Sequence, residues 1–398
     1  MKKLSAFWES NKRLLVVIGL VILALGSLLL YKLGSLNKGG LGYVELQAVT
    51  STYGWHGIYT SPLYLPIKLV RSVIYTLGVS HSQLVTRLPN AILGGVTIGI
   101  FAWLIRLWHG NRTAVLSTVM FATSAWVLHV SRLASFDVLY LMLIPALLLS
   151  VAALQRHATK PLVYYGSILL WGSLLYIPGA VWLIALTIYW ENKAIKQGWN
   201  SFNSLKQRAL YVLSGLIWLP LLIIDLFRPD MFKIWLGIPN KFSGPVDMIR
   251  NLWDVIYALV VHGPANAAIW LHNAPIFDIF TLVVIALGVY FYAKHRKVGR
   301  TRLLLSYFVV GLILTSLGGS VGISIVIPLL YICAATGIAF LIHEWLQVFP
   351  INPFARIIGI GIVTLAISLS SVYNLRAYFI AWPHNTNTQT TFHYKTLR

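Results

Sequence analysis

Long apolar runs, each closed by a few polar or basic residues, set the rhythm of this sequence. Runs approaching the length that crosses a bilayer fall at 14–31, 88–107, 113–130, 137–154, 162–176, 178–190, 209–227, 279–294, 303–318, 322–342 and 357–373. At about 20 residues per crossing they predict about eleven membrane-spanning helices in one all-α bundle over 1–398. Between 162–176 and 178–190 stands Pro178-Gly179, which reads as a turn or as a kink. Three segments between or beyond the runs are long: 32–87, 228–278 and 374–398.

The first long segment carries helical periodicity of its own. A short helix is predicted over 43–52, after the turn-forming Gly39-Gly40-Leu41-Gly42. A second is predicted over Pro66 to Leu77, with proline at its first position and Gly78 just past its end. There Leu63, Ile67, Val70, Ile74 and Leu77 share one apolar face, and Lys68 and Arg71 lie off it. Such a helix suits the membrane interface or a seat against the bundle.

Composition agrees with a membrane protein: 58% of residues are hydrophobic and 10% charged, against about 25% charged in soluble domains. The net charge of +21 comes from 31 Lys and Arg against ten acids. With no soluble domain to present a nucleic-acid face, that charge reads as topology and contact with anionic membrane lipid, and nucleic acid is excluded as a partner. With the N-terminus cytoplasmic and the first span an uncleaved anchor, the short links around Arg112, Arg156 and Lys160, Lys193 to Arg208, and Lys294 to Arg302 all fall inside. The three long segments, including the C-terminal tail, then lie outside a multi-pass cell-membrane protein. The one cysteine, Cys333, sits in an apolar run and reads as packing.

Acids are scarce, so their positions carry information. Glu45 is the one acid in 32–87, and Asp137 stands at the head of the fourth span in Ser131-Arg132-Leu133-Ala134-Ser135-Phe136-Asp137. An Asp costs free energy near a bilayer, about 2.5–3.5 kcal/mol at a helix centre and less toward the interface. Asp137 is therefore a candidate site residue. It also reads as an N-cap paired with Arg132.

These features resemble the GT-C glycosyltransferases, and more closely the branch holding protein O-mannosyltransferases and the lipid A aminoarabinose transferase. The resemblance rests on the anchor, the structured first loop with its acid, Arg87-Leu88-Pro89 at the second span, and SRLASFD about two spans later. It is strongest over 1–190; beyond, it rests on HNAPIFD (272–278), Pro328 and NLRAYFIAWP (374–383). It implies a GT-C bundle that transfers a sugar from a polyprenyl-phosphate donor to an acceptor at the outer membrane face. The family's Asp-Glu pair aligns with Val44-Glu45, so the Asp is missing.

An acceptor hydroxyl needs a carboxylate to take its proton, and the resemblance makes Glu45 and Asp137 the catalytic candidates. The leaving phosphate needs cations, with Arg132, Arg87, Lys68 and Arg71 the nearest outer choices. Arg87 equally reads as a snorkelling residue. His56 is a further binding candidate, and His56 and His81 equally read as structural. A divalent cation, Mg or Mn, bridging carboxylate and phosphate is a possible cofactor. Two other readings stay open: an inactive relative that binds lipid carrier, supported by Val44, and a transporter or flippase of lipid-linked sugars.

Overall fold

The computed structural model describes residues 20–21, 23–36, 40–51, 55–77, 82–240, 244–271 and 273–394, with the main chain alone at 224–227 and 229. The start of run 14–31, His81 and His272 lie outside the described residues. A helical stretch at 23–30 (α1) leads into three short helices, Tyr43–Thr50 (α2), His56–Thr60 (α3) and Leu65–Thr76 (α4). The bundle continues with Gln83–His109 (α5), Asn111–Thr123 (α6), Ala125–Arg132 (α7), Asp137–His157 (α8), Pro161–Leu174 (α9) and Ala180–Trp190 (α10). Next come Asn192–Asn200 (α11), Ser204–Phe227 (α12), Pro229–Trp235 (α13), Pro245–Val260 (α14), Ile279–Lys294 (α15) and Gly299–Ser316 (α16). A short 3-10 turn precedes Ile327–Val348 (α17), Pro353–Arg376 (α18), a π turn at Ala377–Ala381, Trp382–His384 (α19) and Thr386–Thr391 (α20).

Each predicted run falls on a helix, the first as far as it is described. Among the described residues, four helical segments are by themselves long and apolar enough to cross a membrane: Gln83–His109, Asp137–His157, Ile323–Val348 and Pro353–His384. The pair α6 and α7 makes a fifth if it counts as one span, although it bends by 62°. The bend falls at Ser124, where the backbone turns extended. The main-chain N–H of Ala125 beyond it finds the Asn374 side-chain oxygen of α18, 3.2 Å away, so that main-chain donor is satisfied. α10 and α15 are apolar but shorter.

Packing within the bundle depends on close backbone approach. α15 runs along α17, and Gly288 and Gly337 sit where any Cβ would collide with the Cys333 and Val284 carbonyls. Small residues at such crossings replace the hydrophobic driving force that lipid removes. Asp278 then ties α15 to α18. It caps Thr281 N at 3.0 Å and accepts from Thr281 Oγ1, Ser370 Oγ and Asn374 Nδ2 at 2.7, 2.8 and 2.9 Å. The two distant sequence features, HNAPIFD and NLRAYFIAWP, thus meet through Asp278 and Asn374.

The bundle has two chemically different ends. At one, Arg300 lies over Trp108, Arg302 over Trp190, Arg156 donates to the Leu107 carbonyl and Gln155 to Glu191. At the other, the tail returns to the first long segment: Leu41 and Tyr394 exchange main-chain hydrogen bonds of 2.9 and 3.2 Å, the one β-bridge among the described residues. Arg228, just before α13, donates to the Thr60 carbonyl, and Gly179 to the Trp235 carbonyl. The basic links gather at one end, and contacts join the three long segments at the other.

Candidate active site at the first long segment

The segment that carries Glu45 is locked to the bundle by its own side chains. Gly42, extended, caps α2 and its N–H donates to Glu45 Oε2 at 3.1 Å, a helix-start box closed by the third residue in. Glu45 also accepts from Arg87 Nε at 2.8 Å and Nη2 at 2.7 Å, and from the Ala134 N–H at 2.9 Å. Both residues are almost fully buried, with 2% and 1% of the Arg87 and Glu45 side chains exposed. Burial pushes the Glu45 carboxyl up, but the Arg87 charge and the hydrogen bonds from Arg87, Ala134 and Gly42 outweigh it and hold the group below the usual carboxylate range. Arg87 completes its fork on the Leu33 and Gly40 carbonyls, at 3.1 and 2.9 Å. It neither snorkels nor faces a free phosphate site.

The same SRLASFD stretch supplies the next contacts. Asn90, one turn beyond Arg87, donates to the Ser135 carbonyl at 2.7 Å and accepts from Arg71 Nη2 at 3.1 Å. Phe136 stacks flat on Tyr64, 4.0 Å between centroids and 3° between planes, with the Arg71 guanidinium 5.8 Å from the Phe136 ring. Asp137 opens α8 beside this stack, half-buried, its N–H on Ser135 Oγ at 3.3 Å. Around it are Gly322, whose added Cβ would stand 3.5 Å from Asp137 Oδ1, and the phenols of Tyr64 and Tyr140, 3.5 Å from each other. Burial pushes the Tyr64 phenol up to about 12, so it remains a donor at neutral pH.

Arg132 goes elsewhere. It donates to the Leu28 carbonyl at 3.0 Å and to the Tyr31 carbonyl, and its guanidinium lies 4.7 Å from the Phe379 ring centroid. The expected Arg132–Asp137 pair does not form, and the N-cap position belongs to Phe136. α7 ends at Arg132 and α8 begins at Asp137, and the Leu28 and Tyr31 carbonyls take the Arg132 guanidinium. His56 stands exposed at the start of α3, with no hydrogen bond to its ring among the described residues.

Helix α4 differs most from its sequence reading. Ile67, Lys68, Arg71 and Ser72 face inward, while Leu69, Val73 and Leu77 are exposed by 40%, 49% and 72%. The predicted apolar face is buried at Leu63 and Ile67 and exposed at Leu77, whereas Lys68 and Arg71, off that face, are buried as well. At a membrane surface an exposed apolar face meets lipid, and the polar face is free to turn inward. Lys68 Nζ donates to the Gly57 and Ser61 carbonyls at 3.2 and 2.6 Å, and among the described residues no carboxylate stands within ion-pair reach of it. Burial, helped by the charge of Arg71, brings the Lys68 amine down to about 8; burial likewise brings Arg71 to about 10. Two inward cations, Arg71 beside the Phe136 ring and Lys68 three residues before it on the same helix, make a basic cradle.

No protein-family model matches the chain, and no curated protein does. Solved structures do match. The lipid A aminoarabinose transferase ArnT from Cupriavidus metallidurans, in the apo state, aligns with a TM-score of 0.53 at 10% identity, over 96% of this chain and 77% of that one. The same enzyme bound to undecaprenyl phosphate gives 0.52 at 12%, over 95% and 77%. An Archaeoglobus fulgidus oligosaccharyltransferase tethered to an acceptor peptide gives 0.52 at 15%, over 93% of this chain and 55% of that one. The chain has the GT-C fold. At these identities the likeness is one of fold, and it extends over almost the whole chain, well past residue 190 where the sequence resemblance thins.

Within this GT-C fold the structure joins Glu45, Arg87 and the SRLASFD stretch into one cluster. It adds Asn90, Tyr64 and Tyr140, which sequence reasoning passed over. Asn90 follows Arg87-Leu88-Pro89 directly, and that adjacency is the signal that could have found it. Tyr64 and Tyr140 carry no such mark. For a divalent ion the donors do not fit: among the described residues no three His, Cys, Asp or Glu side chains gather, and both Glu45 oxygens are already taken by N–H groups.

Proposed function

We propose that this protein is a membrane glycosyltransferase, moving a sugar from a polyprenyl-phosphate carrier to an acceptor at the outer face of the cytoplasmic membrane. The observation that carries the proposal is the pair of buried cations Lys68 and Arg71 on α4, the helix whose N-cap Tyr64 stacks on Phe136, the residue before Asp137. A GT-C neighbour bound to undecaprenyl phosphate supports a lipid-phosphate ligand for such a bundle. Lys68 and Arg71 take the donor phosphate, because a buried amine with only carbonyl partners gains most from an anion. The acceptor hydroxyl oxygen attacks the anomeric carbon and the sugar–phosphate C–O bond breaks. The electron pair leaves with polyprenyl phosphate, and the hydroxyl proton passes to the Asp137 carboxylate. Glu45, held as an anion by four N–H donors, is a weak base and acts instead with Arg87 to set the position of Ala134 to Asp137. No step runs through a metal.

The test is turnover of several radiolabelled polyprenyl-phosphate sugars by the purified full chain. Asp137→Asn should lower turnover by about 10²–10⁴-fold with donor binding nearly intact, the signature of a lost general base. Lys68→Gln should weaken donor binding. Wild-type protein that binds no polyprenyl phosphate in any lipid environment sinks the proposal. Val44 at the family's Asp position favours a second reading, an inactive relative that still binds carrier. Activity appearing only in Val44→Asp would establish that reading.

A further inference from the structure

Helix α18 ends at Arg376, and Ala377–Ala381 follow as a π turn. Single π turns interrupt the ordinary helical ladder and are found often at functional sites. Arg376 is exposed, and among the described residues its guanidinium has no carboxylate within ion-pair reach. Grooves flank it on both sides. One, of about 570 Å³, is floored by Leu271, Leu369 and Val372 and rimmed by Asn385 and Trp382. The other, of about 470 Å³, runs against α1 at Ala24 and Leu28. Arg376 and Ile380 border both grooves. The buried Trp382 indole N–H on the rim of the first has no acceptor among the described residues.

We propose that Arg376 binds the phosphate of a two-chain anionic phospholipid that straddles α18, with one acyl chain in each groove. Arg376 lies at the end of a membrane-spanning helix, the level at which lipid phosphates stand, and guanidinium pairs with phosphate in a bidentate way. A second donor, the Asn385 amide, is at hand on the rim. Two apolar grooves that share one cation match a lipid with two chains on one headgroup; a single-chain polyprenyl phosphate fills only one of them. This site is separate from the Lys68 cradle and stands whether or not the chain transfers sugar.

Native mass spectrometry of the delipidated full chain tests it, with phosphatidylglycerol, diacylglycerol of the same chains and undecaprenyl phosphate as the probes. Phosphatidylglycerol should be retained about 10-fold better than diacylglycerol, the worth of one charged hydrogen-bonded contact. Arg376→Gln should remove that preference, and Lys68→Gln should leave it intact. Leu369→Trp, which fills one groove, should weaken phosphatidylglycerol and leave lysophosphatidylglycerol unchanged. Equal retention of phosphatidylglycerol by wild type and Arg376→Gln overturns the proposal, as does equal retention of diacylglycerol. Displacement of phosphatidylglycerol by undecaprenyl phosphate in the Lys68→Gln variant overturns the two-chain assignment.

Discussion

Glu45→Gln tests whether the acid in the first long segment holds the structure or does the chemistry. The substitution keeps shape but turns one carboxylate oxygen into an amide nitrogen. Glu45 now receives four hydrogen bonds, two from Arg87 and one each from the Ala134 and Gly42 main chain, and both oxygens accept. Whichever way the amide is placed, its NH₂ points at donors and strands at least one of them. Arg87 also loses its countercharge in a site where 2% of it is exposed. Breaking a buried ion pair from one side costs about 3–5 kcal/mol. The melting temperature should then fall by at least about 6 °C. Cys333 gives the assay: it is the one cysteine, packed in α17, so a thiol-reactive fluorophore reports unfolding of the whole chain in detergent. An unchanged melting curve together with turnover lowered about 10²–10⁴-fold would refute this reasoning and make Glu45 the base.

Lys68, at about 8, is charged below that pH and neutral above it, so phosphate affinity should fall as pH rises through about 8 and stay flat in Lys68→Gln, as read by donor titration. Because this amine is depressed when folded, its charge opposes folding at neutral pH, and that penalty is relieved as pH climbs from about 8 toward the unfolded lysine value. The Glu45 carboxyl, depressed when folded, stabilises the protein above the ordinary carboxylate range; melting temperature should hold at neutral pH and drop only as acid protonates Glu45 below that range. Ser51→Cys and Thr390→Cys, both exposed, should react with an impermeant thiol reagent from the outer side of sealed vesicles and Arg296→Cys from the inner side. Labelling of Ser51→Cys and Thr390→Cys from opposite sides would contradict the shared end of the bundle. Asp278→Ala removes a helix cap and two cross-helix acceptor contacts and should cost at least about 2 kcal/mol, read as lost thermal stability.

The order of helices was legible in the sequence because hydrophobic runs of bilayer length leave few alternatives. So was the meeting of Glu45 with the SRLASFD stretch, though only through family resemblance: nothing in spacing tells that residues 45 and 134 touch. The orientation of α4 was not legible. Its apolar stripe is inward at Leu63 and Ile67, but nothing in the pattern told that Lys68 and Arg71, off the stripe, are buried too. Arg132 misled for a different reason. Sequence proximity to Asp137 suggests a pair, but the helix breaks between them and the arginine reaches two carbonyls at the end of α1. The bend at Ser124 had no proline or glycine to announce it; its stabilising contact, the Asn374 amide, lies 249 positions away.

What these misreadings share is that charge in this protein is placed by carbonyls and packing more than by opposite charge. With 31 cationic side chains and ten acids, most cations have no acid to meet. Lys68 and Arg132 accordingly end on main-chain carbonyls, and Arg71 on a carbonyl and the Asn90 side-chain oxygen. A carbonyl satisfies the donors of a buried cation but leaves its charge uncompensated, and a bound anion is then the ligand that gains most. Arg87 is the exception, because Glu45 neutralises it, and that makes the pair unsuited to phosphate. Lys68, the inward cation without a carboxylate, is then the place where a phosphate belongs. An Arg87→Leu change should break the fold of the first segment, whereas Lys68→Met, which removes a buried charge held only by carbonyls, should leave melting temperature equal or higher while donor binding is lost. If Lys68→Met instead melts earlier and still binds polyprenyl phosphate, the lysine is a brace and the cradle lies elsewhere.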